Sequence, residues 1–183
     1  MSKRPDAVAE IIDNLRRVFQ VVNEQSKKVE KETGLTGPQL WAIKTIAQEA
    51  PIMVSEIARH MYLHPATVVG ILDRLEKQGL VARIRSTEDR RVVRVELTAK
   101  GRALVRKAPE VAQGLLVEGL ENLSASNLKN ISHGLDQMVD ILGAQNIPPQ
   151  LILSPEVNKP SKFKRGSMEP GARKQRSATK QHA

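Results

Sequence analysis

The stretch that decides the fold is "LHPATVVGILDRLEKQG" at 63–79, followed directly by "LVARIR" at 80–85. Pro65 favours the start of a helix and Gly79 favours its end. The helix between them has one apolar stripe with spacings of three and four, formed by Val68, Ile71, Leu72 and Leu75. After Gly79 the apolar period changes from 3.6 to 2, which predicts a strand.

The segments on either side of this stretch complete a recognisable unit. "VVRVEL" at 92–97 alternates again and predicts the second strand of a hairpin, with "STEDRR" at its tip. Upstream, "LTGPQL" at 35–40 predicts the start of a helix that runs to about Gln48. A short helix is expected from about Ser55 to Met61. Helix, short helix, short helix and hairpin together predict a helix-turn-helix with a wing.

Long amphipathic helices are expected at both ends of this unit. Apolar residues at spacings of three and four predict a helix over about 6–32. A second helix should cover about 99–121, and Pro109 should kink or split it. A third should begin after Ser124 as its cap and end at Gly143. The predicted fold class is therefore mainly α with a small β-hairpin, built as a winged helix-turn-helix lobe plus a helical region.

Composition limits the classes of function. The chain has 183 residues, 2% aromatic residues and no cysteine. Thiolate chemistry, cysteine-ligated zinc and single-strand binding by stacked bases are therefore disfavoured. Neither a signal peptide nor an apolar run approaching the ~18 residues of a membrane span is visible. A soluble, cytoplasmic protein without membrane partners is expected.

The net charge of +9 is unevenly distributed along the chain. Residues 54–106 carry +5, residues 107–147 carry −3, and residues 148–183 carry +6. A basic block inside a folded region favours a nucleic-acid face, although an ordinary solvated surface remains an alternative. The proline- and lysine-rich segment 148–183 is expected to be a disordered basic tail.

The second short helix has the side chains expected of a helix that enters a DNA major groove. Ala66 and Gly70 would allow its backbone to approach the bases closely. The DNA-binding candidates on this helix are His64, Pro65, Ala66, Thr67, Val69 and Gly70. His64 and Thr67 could hydrogen-bond to base edges, whereas Ala66 and Val69 could contact thymine methyl groups. The candidates for phosphate contacts are Arg74, Lys77, Arg83 and Arg85.

The wing tip offers three further DNA-binding candidates, Asp89, Arg90 and Arg91. Asp89 and Arg91 are two residues apart, so they share one side of an extended segment. The carboxylate can then orient the Arg91 guanidinium for a narrow minor groove, while Arg90 meets a phosphate. The alternative is a solvated turn whose acidic residues only maintain solubility.

The sequence resembles the MarR (multiple antibiotic resistance regulator) family over about residues 6–143. "GLTGPQLWAI", "VSEIARHMYLHPATVVGILDRLEKQGLV" and "DRRVVRVELTAKG" follow the order and spacing of that family. The last segment matches the family's wing pattern D-x-R-x₅-L-T-x-x-G through Asp89, Arg91, Leu97, Thr98 and Gly101.

The resemblance implies a homodimer with DNA-binding lobes at 36–98 and dimerisation helices at 6–32 and 99–143. It also implies binding to a pseudo-palindromic double-stranded operator, usually as a repressor and often with release by a small-molecule effector. Two features depart from the family. Val69 and Gly70 stand where many relatives carry polar or basic residues, and the segment after Pro148 has no counterpart in the pattern.

Other functions find less support in the sequence. An enzyme is not expected, because no Gly-rich phosphate loop, catalytic triad or set of metal ligands is evident. His60 and His64 lie four residues apart without a third ligand, so neither a metal nor a cofactor is expected. A winged domain that binds other proteins, or an activator, remains an alternative to a repressor.

Overall fold

The computed structural model describes residues 3–85 and 93–151. Within these ranges the elements follow in the order α1 (Lys3–Thr33), α2 (Gly37–Glu49), β1 (Ile52–Met53), α3 (Val54–His60), α4 (Pro65–Lys77), β2 (Val81–Arg85), β3 (Val93–Leu97), α5 (Ala99–Val105), α6 (Ala112–Glu121) and α7 (Ala125–Ile141). The predicted fold class, mainly helical with a winged helix-turn-helix, is confirmed.

The hydrophobic core lies inside the lobe formed by α2 to β3. The stripe predicted on α4 is fully buried there, with all four of its side chains at 0% exposure. Leu40, Ile43 and Ile46 from α2 and Ile57 from α3 pack into the same cluster. Each fully buried Leu or Ile contributes about 1.5–3 kcal/mol, so this cluster fixes α4 against the rest of the lobe.

The sheet contains one strand more than the sequence predicted. β2 and β3 form the expected antiparallel hairpin, and β1 pairs with the outer edge of β3 through Ile52 opposite Val95. The prediction of a two-stranded hairpin was therefore incomplete. A strand of two residues is too short to show an alternating pattern, and only its pairing with β3 identifies it.

Local signals set the helix boundaries much as expected. Gly79 and Gly143 follow α4 and α7 with φ of +69° and +64°, which a residue without Cβ adopts at little cost. The Ser124 hydroxyl accepts a hydrogen bond from the Asn127 N–H at 3.3 Å, and so caps α7. The helix predicted over 99–121 is split around Pro109 into α5 and α6.

Helices α1, α6 and α7 leave apolar faces exposed. No residue of α7 is buried, and Leu135 on it is 56% exposed. On α1, Phe19 is 59% exposed and Val8 is 55% exposed. Within the described part of the chain, no helix has the length and apolar character needed to cross a membrane.

The structure describes the first residues, 148–151, of the segment predicted to be a basic tail. Leu151 is partly buried and packs against the hydrophobic core. Contact with the folded domain therefore continues past the predicted boundary at residue 148. The rest of that segment, residues 152–183, lies outside the described residues.

Candidate nucleic-acid interface

The start of α4 is shaped by its first residues. His64 is the N-cap, and its Nδ1 accepts a hydrogen bond from the Ala66 N–H at 3.2 Å. Pro65 occupies the first helical position, where a missing N–H costs little. This cap uses one of the two ring nitrogens of His64, so only Nε2 is left as a polar atom for contact with a base.

The outward face of α4 carries small and largely apolar side chains. Ala66 is exposed, Thr67 and Gly70 are half-buried, and Val69 is 41% exposed. A Cβ added at Gly70 would meet nothing within 4 Å. Six neighbouring positions, 64–67, 69 and 70, are thus exposed or partly exposed.

Arg83 does not point freely toward solvent. Its guanidinium bridges two carboxylates of α4, with Nη2 at 2.7 Å from Asp73 Oδ1 and Nη1 at 2.6 Å from Glu76 Oε2. Its side chain is 27% exposed. Two acidic partners neutralise this charge and fix β2 to α4, so Arg83 as arranged here is a structural brace more than a phosphate contact.

The other described basic candidates lie on α4 and β2. Arg85 is exposed at the end of β2, Lys77 is exposed in the last turn of α4, and Arg74 is half-buried one turn earlier. Asp89, Arg90 and Arg91 lie outside the described residues. The structure thus brings the α4 candidates and the base of the wing together.

The wing is anchored through its C-terminal end, at Thr98 and Gly101. The Thr98 hydroxyl donates to the Gly79 carbonyl at 2.7 Å and accepts from the Gly101 N–H at 3.1 Å. A Cβ at Gly101 would overlap the Leu80 carbonyl oxygen. The wing pattern includes both Thr98 and Gly101, but the sequence shows no physical reason for Gly101, because its neighbour Leu80 lies across the hairpin.

A cavity of about 260 Å³ separates the lobe from α6. Trp41, Lys44 and His60 line it from the lobe, and Glu118 and Glu121 line it from α6. Trp41 is only partly buried and packs against the core, so it serves both as a core aromatic and as part of the cavity wall.

Two basic side chains of the cavity wall, Lys44 and His60, each lie close to a carboxylate. Lys44 Nζ lies 2.8 Å from Glu110 Oε1, and His60 Nε2 lies 3.0 Å from Glu49 Oε2. Within residues 3–85 and 93–151, no group of three or more His, Cys, Asp or Glu side chains could hold a metal ion. His60 thus lies beside Glu49, and His64 caps α4.

Comparisons with known proteins agree with this architecture. A model of the MarR family matches residues 35–93. The organic hydroperoxide resistance transcriptional regulator of Bacillus subtilis strain 168 is 30% identical over 125 residues, which cover 68% of this chain and 84% of that protein. The transcriptional repressor MdtR of the same strain is 26% identical over 133 residues, covering 73% and 86% of the two chains.

A solved structure supports the fold in the same way. The crystal structure of Streptococcus pneumoniae FabT in complex with DNA covers 74% of this chain and 97% of that chain, with a TM-score of 0.51 and 22% identity. At that identity the likeness concerns the fold alone. Together with the match over 35–93 and the relative at 30% identity, the sequence motifs and the winged lobe lead to one conclusion: the chain belongs to the MarR family of transcriptional regulators.

Proposed function

We propose that the protein is a sequence-specific DNA-binding regulator that places α4 in the major groove and the hairpin beside the minor groove. The observation that carries this proposal is the accessible, small-residue surface of α4 next to exposed Arg85 and Lys77. Such a surface lets the helix backbone approach base edges, while the cations meet phosphates. Base contacts then come from His64 and Thr67 through hydrogen bonds, and from Val69 through apolar contact with a thymine methyl group.

The active form in this proposal is a homodimer. The support is the apolar surface that one chain leaves uncovered on α1, α6 and α7, including Phe19 and Leu135. Soluble proteins rarely expose contiguous apolar patches of this kind unless they bind a partner there. We assign dimerisation to 6–32 and 99–143 and DNA binding to 36–98. Two symmetric lobes would match a pseudo-palindromic operator.

We propose that the protein represses transcription and that a small molecule releases it from DNA. The cavity between α2 and α6 lies at the junction of the two regions, where a ligand would alter the orientation of the lobe. The Bacillus subtilis relative at 30% identity is a regulator of organic hydroperoxide resistance. This chain contains no cysteine, so a thiol cannot be its sensor.

The proposal places the protein in the cytoplasm, where its DNA is located, and gives it no enzymatic activity. Both points follow from the assigned role as a regulator whose relatives are transcriptional regulators. A protein–protein interaction module is the competing function, and it requires no affinity for DNA.

Fluorescence anisotropy with random duplex DNA at low salt separates the two functions. Saturable binding that falls steeply with salt is expected of the regulator. A footprint on the DNA upstream of its own gene should then show two protected half-sites about one helical turn, roughly 34–36 Å, apart. Absence of DNA binding at low salt would contradict the proposed function.

A further inference from the structure

A side-chain hydrogen bond joins the helix-turn-helix to α6. The Tyr62 hydroxyl donates to Glu121 Oε1 at 2.7 Å, although the two residues are 59 positions apart. This hydrogen bond to a carboxylate raises the pKa of Tyr62, so the phenol keeps its proton and remains a donor at neutral pH. The contact is a charge-assisted hydrogen bond at the protein surface, where the Tyr62 side chain is 68% exposed.

The backbone at Tyr62 is also unusual. Its φ is +50°, a conformation that a bulky residue adopts only where its surroundings hold it. Tyr62 lies in the turn between α3 and α4, two residues before the His64 cap. This unusual turn therefore directly precedes the start of α4, where the proposed base contacts are located.

The acceptor, Glu121, belongs to the other region of the molecule. It is the last residue of α6, a helix whose apolar residues Leu115 and Leu116 are exposed. The hydrogen bond therefore spans the DNA-binding lobe and the dimerisation helices. In a dimer whose two α4 helices must fit one operator, it helps to fix the angle of each lobe.

Glu121 also lines the cavity, and the charges there are unbalanced. Lys44 is paired with Glu110, and His60 lies beside Glu49. Glu118 and Glu121 have no basic partner among the residues that the structure describes. The wall next to Trp41 is therefore electronegative, which disfavours an anion and favours a cation.

We propose that the effector is a small organic cation, an aromatic or quaternary amine, that binds in this cavity and weakens the Tyr62–Glu121 hydrogen bond. A cation beside Glu121 neutralises the carboxylate that accepts from Tyr62, and Trp41 offers a cation–π contact. The loosened turn then lets α4 leave its DNA-binding orientation. The inference rests on the proposed function, to which it adds the chemical class of the effector and the hydrogen bond through which the effector acts on α4.

The ligand class is tested first, with the full chain and no DNA. Trp41 is the only tryptophan in the chain, so its fluorescence reports on the cavity. Benzyltrimethylammonium should give a saturable change, and benzoate, an aromatic anion of similar size, should not, at matched ionic strength. Saturable binding of benzoate at least as tight as that of the ammonium probe would overturn the cationic assignment.

Charge variants locate the site. Glu121→Gln should weaken binding of the ammonium probe by about three- to fivefold, since a partly solvated carboxylate contributes modestly. Adding Glu118→Gln should extend the loss to about tenfold. Glu32→Gln, which removes the same charge from an exposed position at the end of α1, should leave it unchanged. Equal losses in all three variants, or none in any, would contradict a site at Glu118 and Glu121.

The coupling is tested with DNA. Tyr62→Phe keeps the ring and removes only the donor. Because Tyr62 is 68% exposed, this loss should weaken operator binding by about three- to tenfold, the range for one hydrogen bond of ordinary strength. The ammonium probe should release wild-type protein from the operator and have little further effect on Tyr62→Phe. Unchanged or tighter operator binding by a folded Tyr62→Phe protein would overturn the coupling.

The experiments distinguish a failure of the proposed DNA-binding function from a failure of the proposed Tyr62–Glu121 coupling. If the wild type does not bind DNA, the proposed function is wrong, whatever the fluorescence titration shows. If the wild type binds its operator but Tyr62→Phe behaves identically, only the coupling is wrong. Circular dichroism and thermal unfolding of each variant confirm that the comparison is between folded proteins.

Discussion

Gly101 and Leu80 are in such close contact that a Cβ at position 101 would overlap the Leu80 carbonyl oxygen. Leu80 leads into β2, and Gly101 lies in the first turn of α5. The contact therefore closes the base of the hairpin and sets how the first helix after the wing leaves the lobe. Within the wing pattern, the final glycine is a packing requirement and not a DNA contact.

Replacing this glycine should destabilise the protein. Gly101→Ala forces the backbone of Leu80 or α5 to shift, and we expect a loss of about 1–3 kcal/mol in the free energy of unfolding. Gly70→Ala is the matched control, because an added Cβ there meets nothing within 4 Å and alanine favours a helix by up to about 1 kcal/mol. Urea unfolding at one fixed protein concentration measures both. A Gly101→Ala protein as stable as the control would contradict the contact.

The two arginines of β2 should behave differently. Arg83→Ala removes the brace to Asp73 and Glu76, and partly exposed pairs of this kind contribute about 0.5–1 kcal/mol to stability. Arg85→Ala removes an exposed cation, so it should lower the slope of log K against log salt by about 1 with little change in stability. Anisotropy over a salt series gives the slopes. An equal drop in slope for Arg83→Ala would mean that Arg83 leaves its carboxylates to bind phosphate.

The wing tip remains a prediction from the sequence. Arg91→Ala should weaken operator binding by about 1–3 kcal/mol, the range for a good arginine contact. Asp89→Ala should weaken it too, although it removes a negative charge, because the carboxylate is predicted to orient Arg91. Tighter binding by Asp89→Ala would show that Asp89 only repels the DNA.

Dimerisation can be tested on α7. Leu135→Asp places a charge on the exposed apolar stripe and should abolish the dimer together with most of the folded population, since dimer and fold are expected to be coupled. Gln137→Asp introduces the same group on the opposite side of the helix, about 200° away at ~100° per residue, and should remain dimeric. Sedimentation velocity at micromolar concentration distinguishes these outcomes, and a folded wild-type monomer would refute the coupling.

The basic segment after the domain gives a prediction about salt dependence. Since Leu151 packs against the core, the truncation should retain it and remove 154–183. The removed residues carry a net charge of +6. If about half of the cations contact phosphates, the slope of log K against log salt should flatten by roughly two to four. The ratio of operator to random affinity should hardly change. An unchanged slope would mean that the segment is inert toward DNA.

The sequence by itself determined the elements that depend on neighbouring residues. The spacing in 63–79 predicted α4 and its buried stripe, because a helix brings positions three and four apart onto one face. Pro109 and Gly79 marked helix ends through their own backbone preferences. The order of motifs along the chain was sufficient for the family and for the candidate DNA-binding face.

Only the tertiary structure decided which distant groups meet. The pairing of β1 with β3, the brace from Arg83 to α4 and the hydrogen bond from Tyr62 to Glu121 all join residues on separate elements. A local pattern contains no information on the distance between such side chains, because that distance depends on how the elements pack. For this reason the sequence did not single out Tyr62, and it did not show that Arg83, a DNA-contact candidate, also braces β2 to α4.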